Sequence, residues 1–100
     1  DFRRFDMVGG VSAVVLIKAE TSSVNELAQQ LVELKGVAEV FSVAGQYDLV
    51  AIVRVNENEQ LAEVVSDKLR KLPGVVLTET MIAFRVFTKA AVEGMFDLGS

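Results

Sequence analysis

The sequence predicts an α+β fold built from two βαβ halves, and three observations carry that prediction. The chain repeats itself at a spacing of 38 residues, with Ala13/Ala51, Val15/Val53, Leu31/Leu69, Leu34/Leu72, Gly36/Gly74 and Val37/Val75 identical. Apolar runs of strand type alternate with stripes of helical period. A glycine turn, Ala44-Gly45-Gln46-Tyr47-Asp48-Leu49, joins the two halves and sets one carboxylate between two apolar strands, where an ionised group needs a partner.

Each element has its own signal. Residues 11–19 are β-branched and apolar on both parities, the pattern of a strand covered on both faces. Ser23 stands three residues before Glu26, a capping-box start for a helix whose Val24, Leu27, Ala28, Leu31 and Leu34 share one stripe. Gly36 is expected to close it at C′. Residues 37–43 form the second strand and residues 47–55 the third, with Gly45-Gln46 as the turn of an antiparallel hairpin. Asn58 or Glu59 opens a second helix carrying Leu61, Val64, Val65, Leu69 and Leu72, which Pro73-Gly74 ends. Residues 75–87 are the fourth strand, and residues 89–97 a short terminal helix.

The order βαββαβ is that of a ferredoxin-like plait, with an antiparallel sheet and both helices on one face. Residues 10–87 make up that domain, 1–9 an N-terminal extension in which Met7 is the expected natural start, and 88–100 a C-terminal extension. Ala13, Val15, Ile17, Ala51, Val53 and Val55 are small and apolar, and should face the helices. Val14, Leu16, Val50, Ile52 and Arg54 then lie on the free face, an apolar patch too large to leave in water. A homodimer packed sheet to sheet, of the dimeric α+β barrel type, is the expected consequence.

Composition excludes several classes of function. At 100 residues the chain is one domain, burying about 65% of its unfolded surface. Its 51% apolar content and mean hydropathy of +0.39 are high for a small monomer, again pointing to buried subunit contacts. Lys18, Glu20, Arg54 and Asn56 interrupt the richest runs, so no membrane span is expected. Cysteine is absent, which excludes disulfides and agrees with a cytoplasmic location. Histidine is absent too, which removes the commonest general acid-base group and metal ligand. No glycine-rich phosphate loop is present. Catalysis, metal binding and cofactor binding are therefore not expected. A net charge of −4 argues against direct nucleic-acid binding, and the run Lys68, Arg70, Lys71 reads as a helix end matched to its dipole.

Binding of a small molecule is the remaining chemistry. Gly45 with Asp48, helped by Tyr47 and by Thr78 and Thr80 of the last strand, supplies a carboxylate, an approachable backbone and hydroxyls. These parts can hold an ammonium and a carboxylate together, as in a free amino acid. Each also has a plainer reading: Asp48 as a turn acceptor, Tyr47 as a packed aromatic, the threonines as strand formers. In a plait, the threonines reach Asp48 only through curvature or another subunit.

The Gly-Gln-Tyr-Asp-Leu turn, the Leu-Pro-Gly-Val helix exit and the Thr-Glu-Thr-Met-Ile strand together resemble the effector (RAM) domain of the leucine-responsive Lrp/AsnC transcription regulators, over residues 10–87. The resemblance implies dimers that pair through their sheets, rings of dimers that are commonly octameric, and small effectors, mostly amino acids, held between dimers. Gly45, Asp48 and Thr80 are the matching positions, with Tyr47 and Met81 adjacent. Family regulators carry a helix-turn-helix domain before this one, whereas here ten residues precede the first strand. A stand-alone RAM protein is therefore expected, sensing an amino acid alone or joining full-length Lrp/AsnC regulators. The rival readings are a domain cut from a regulator, an amino-acid-binding regulatory plait of the ACT type, and a ligand-free oligomerisation module.

Overall fold

β1 (Val11–Ala19), β2 (Val37–Ser42), β3 (Leu49–Val55) and β4 (Val75–Ile82) form one antiparallel sheet in the order β2-β3-β1-β4. The structure is a computed structural model describing residues 10–90. The N-terminal extension and the part of the expected terminal helix beyond Ala90 lie outside the described residues; Lys89 and Ala90 are helical. α1 (Val24–Glu33) crosses from β1 to β2. α2 (Asn58–Ala62) crosses from β3 to β4 and runs on as a π-helical segment Glu63–Lys68 and a 3₁₀ turn Leu69–Lys71.

Alternation divides the sheet. Ala13, Val15, Ile17 and Ala19 of β1 and Leu49, Ala51, Val53 and Val55 of β3 are buried against Leu27 and Leu31 of the first helix and Leu61, Val64, Val65 and Leu69 of the second. No polar or charged side chain is buried among the described residues, so apolar burial alone organises the core. Val14, Leu16, Val50, Ile52 and Arg54 take the opposite parity and are half-buried on the open face.

The internal repeat is written into the sheet. Val14 pairs with Ile52, its own repeat mate, while Ala13 pairs with Val53 and Val15 with Ala51. A local two-fold therefore passes between Val14 and Ile52. The helix exits are copies as well. Leu34 N–H donates to Leu31 C=O and Val37 N–H to Leu34 C=O, both at 3.1 Å, and Leu72→Leu69 and Val75→Leu72 repeat this at 3.2 and 3.3 Å. Gly36 and Gly74 stand at φ +101° and +93° in these exits. At Gly74 a Cβ would come within 2.7 Å of Ser23 Cβ, so space as well as conformation requires glycine.

Several boundaries differ from the sequence expectation. Ser23 makes no side-chain cap, because a 3₁₀ turn Thr21–Ser23 holds it at φ −110°, ψ 0°, outside the extended region a cap requires. Leu34 leaves the first helix, so Gly36 falls one residue past C′. The second helix is broken rather than continuous, and Gln60 closes its entry: Oε1 accepts the Asn56 and Glu57 N–H groups at 2.8 and 3.1 Å. β4 stops at Ile82 instead of residue 87, although β1 continues to Val11; Ala83 N–H to Ser12 C=O at 2.9 Å is the bond that follows the last paired residues, Ala13 and Ile82.

Candidate functional site

The β2–β3 connection is a four-residue loop rather than a two-residue turn. Val43 N–H donates to Asp48 C=O at 3.0 Å and closes residues 44–47. Gly45 sits at φ +136° with open space where a Cβ would be, so its backbone conformation alone demands glycine.

Asp48 is fastened to the end of β1. Its N–H donates to Ile17 C=O at 2.9 Å, and its Oδ2 accepts Ala19 N–H at 2.8 Å. The last β1–β3 pair is Ile17 with Leu49, so Ala19 lies beyond the reach of a β3 carbonyl and the carboxylate takes that place. Lys18 Nζ stands 3.6 Å from the same oxygen. Oδ1 takes no hydrogen bond or ion pair among the described residues, and the side chain is 27% exposed.

Tyr47 reaches over β1 to β4, where its hydroxyl donates to Glu79 Oε2 at 2.9 Å, a crossing of about 10 Å, or two strand spacings. The hydrogen bond to Glu79, then loss of hydration, then the carboxylate's charge hold the Tyr47 phenol above its ordinary pKa. It is a donor at neutral pH. One end of the sheet thus gathers an ammonium, two carboxylates and a phenol, groups that can bind both charges of a small zwitterion.

The remaining expected ligand residues are elsewhere in the chain. Thr78 pairs with Ile17 and Thr80 with Val15, so both face the helices, where they line a groove of about 970 Å³ with Ser66 and Arg70. Met81 pairs with Val14 and lies on the open face, half exposed. β1 separates all three from β3. Sequence reasoning missed Lys18 and Glu79; a lysine ending an apolar strand and a glutamate between two threonines were the available signals. Among the described residues, no group of His, Cys, Asp and Glu side chains could hold a metal ion. Likewise, no helix among them is long and apolar enough to cross a membrane.

This geometry describes a plait domain with a polar corner and an open sheet face, and comparison with known proteins agrees on the fold. A family model described as the Lrp/AsnC ligand binding domain matches residues 12–92. A helix-turn-helix-type transcriptional regulator of Pyrococcus horikoshii, itself uncharacterised, is 40% identical over 78 residues, covering 75% of this chain and 52% of the relative. The crystal structure of TTHA0845 from Thermus thermophilus superposes with a TM-score of 0.75 at 44% identity, covering 79% of this chain and 99% of that one. At 13% identity the fold alone is shared with the Neisseria meningitidis regulator NMB0573, solved as an L-Met complex, with a TM-score of 0.74 and coverage of 88% of this chain and 57% of that one. The chain belongs to the Lrp/AsnC family, as its ligand-binding domain. It spans about half the length of the curated relatives it matches, which are transcriptional regulators.

Proposed function

We propose that this domain binds a free amino acid at the Asp48 corner, between subunits, and so tunes an Lrp/AsnC-type regulatory assembly in the cytoplasm. The carrying observation is the partly exposed Asp48 carboxylate, which keeps Oδ1 open while Oδ2 holds Ala19 N–H and faces Lys18. Lys18 would take the ligand's carboxylate, and Asp48 with Glu79 its ammonium. The Gly45 backbone and Tyr47 would border the pocket. Thr78, Thr80 and Met81 would join from a neighbouring subunit, since their own chain holds them apart. The Neisseria meningitidis protein of the same fold, solved with L-Met, supports this ligand class.

Val14, Leu16, Val50, Ile52 and Arg54, flanked on the same face by exposed Phe41, Leu77 and Met81, support a dimer packed sheet to sheet. Dimers of this kind would close into rings such as an octamer and associate with full-length regulators. The domain itself would not contact DNA. Effector occupancy would favour one assembly over another by its differential affinity. A second reading, a ligand-free oligomerisation module, is favoured by the bond from Ala19 N–H, which already gives Asp48 a structural task.

Native mass spectrometry with each common amino acid in turn decides between them. The expected result is a multiple of the dimer that retains one amino acid, with retention abolished in Asp48→Asn, which keeps an acceptor for Ala19 N–H. A fixed oligomer that ignores the whole panel would leave the ligand-free module.

A further inference from the structure

A second cleft lies at the other end of β3 from Asp48, about 20 Å along the strand. It has a volume of about 300 Å³ and is lined by Lys35, Arg54, Asn56, Gln60, Glu63 and Lys68, together with Gly36, Val55 and Val64. That volume is at the small end of ligand pockets, which run from about 300 to 1,000 Å³. Three cations face one carboxylate in a chain whose net charge is −4.

The cations come from three elements that the sequence separates, and the local folding of each brings it there. Lys35 is carried on the first helix exit, beside Gly36. Arg54 is positioned by its own N–H, which donates to Gly36 C=O at 2.8 Å. Lys68 is turned into the cleft by the π segment. In an α-helix, residues five apart point about 140° away from each other. In the wider i→i+5 turn they come closer to one side of the helix, and Lys68 Nζ lies 3.4 Å from Glu63 Oε1.

Gln60 adds a directed donor. Its Oε1 is spent on the Asn56 and Glu57 N–H groups at 2.8 and 3.1 Å, so its Nε2 amide is left to donate on the cleft lining. Residues bearing ammonium, guanidinium and amide groups around a small concavity with a net positive lining are suited to a compact polyanion. We propose that this cleft binds a small molecule through a phosphoryl group.

The site goes beyond the amino-acid corner and is independent of it. Arg54, however, also stands on the face expected to pack in the dimer, so anion occupancy and subunit contact would meet at one side chain.

Calorimetric titration of the full chain with pyrophosphate tests the proposal. Saturable one-site binding is expected, weakened about tenfold in Lys35→Ala and in Lys68→Ala and unchanged in Lys71→Ala. Gln60→Glu keeps an acceptor for both N–H groups while placing a negative charge in the cleft; it should abolish binding with the melting temperature retained. No binding by the wild type, or equal weakening in Lys71→Ala, would overturn the site. Displacement of pyrophosphate by a single-stranded oligonucleotide at equal phosphate concentration would overturn the small-molecule assignment. Asp48→Asn should bind pyrophosphate normally, which separates this outcome from failure of the amino-acid reading.

Discussion

In the first half of the chain, α1 runs unbroken from Val24 to Glu33; in the second, the corresponding stretch passes from α to π to 3₁₀ between Asn58 and Lys71. Inside, the halves coincide at several positions. Leu31 and Leu69 are both fully buried, Ala13 and Val15 pair with each other's repeat mates, and both helix exits carry glycine at positive φ. At the surface the correspondence fails. At a spacing of 38 residues, Lys68 is matched by Gln30, Arg54 by Leu16, Lys35 by Pro73 and Asp48 by Gly10. Packing tolerates little change at the core positions the copies share, although buried Leu61 and Val64 are matched by Ser23 and Glu26. The binding features arise where the copies part.

The largest effects should come from breaking what the halves share. Leu31→Ala and Leu69→Ala are each expected to destabilise by about 2–5 kcal/mol, and by similar amounts, read by chemical denaturation. A gap of more than about 2 kcal/mol between them would show that the second core is less tightly packed. Gly74→Ala and Gly36→Ala come next, at about 1–3 kcal/mol each. Gly74 should be the worse, because its added Cβ meets backbone-anchored Ser23 Cβ at 2.7 Å, whereas at Gly36 it meets two valine methyl groups at 3.0 Å.

Smaller effects probe the features without a counterpart. Asp48→Ala should destabilise by about 1–2 kcal/mol through the orphaned Ala19 N–H, and Asp48→Asn by less. Tyr47 holds its proton more tightly folded than unfolded. Its contribution is thus complete below the ordinary phenol value of about 10 and lost as pH rises through the higher native value. Glu79→Ala should lower the Tyr47 midpoint in an absorbance titration; an unmoved midpoint would show that the hydrogen bond does not persist in solution. Glu63→Gln is the smallest perturbation, within about 0.5 kcal/mol, because the Glu63–Lys68 pair is exposed.

The fold was legible because apolar parity in β1 and β3 and the stripes in both helices are direct records of burial. Less legible was anything decided by a neighbour distant in sequence. Ser23 has the residue type of a cap, yet the preceding 3₁₀ turn denies it the backbone angles. Residues 83–87 read as strand by propensity, yet the pairing with β1 stops at Ala13 and Ile82. The π segment has no signature in its Val64 and Val65, whose spacing suits an α-helix equally well. At the candidate site, Asp48 was visible at its turn, whereas Lys18 and Glu79 emerge only when β1 and β4 align beside it. The basic cleft was invisible, since its cations are dispersed between positions 35 and 68 and meet only in three dimensions.

The strand order has a consequence for how the protein is made. β1 leaves the ribosome before the other three strands of the sheet, yet it sits inside the sheet and needs β4, with Ala13 meeting Ile82. Until translation passes Ile82, one apolar edge of β1 stays open, and the first helix has only part of a sheet to cover. The nascent chain carries that exposed edge until β4 emerges, so its risk of misassociation is greatest on the ribosome and falls as β4 docks.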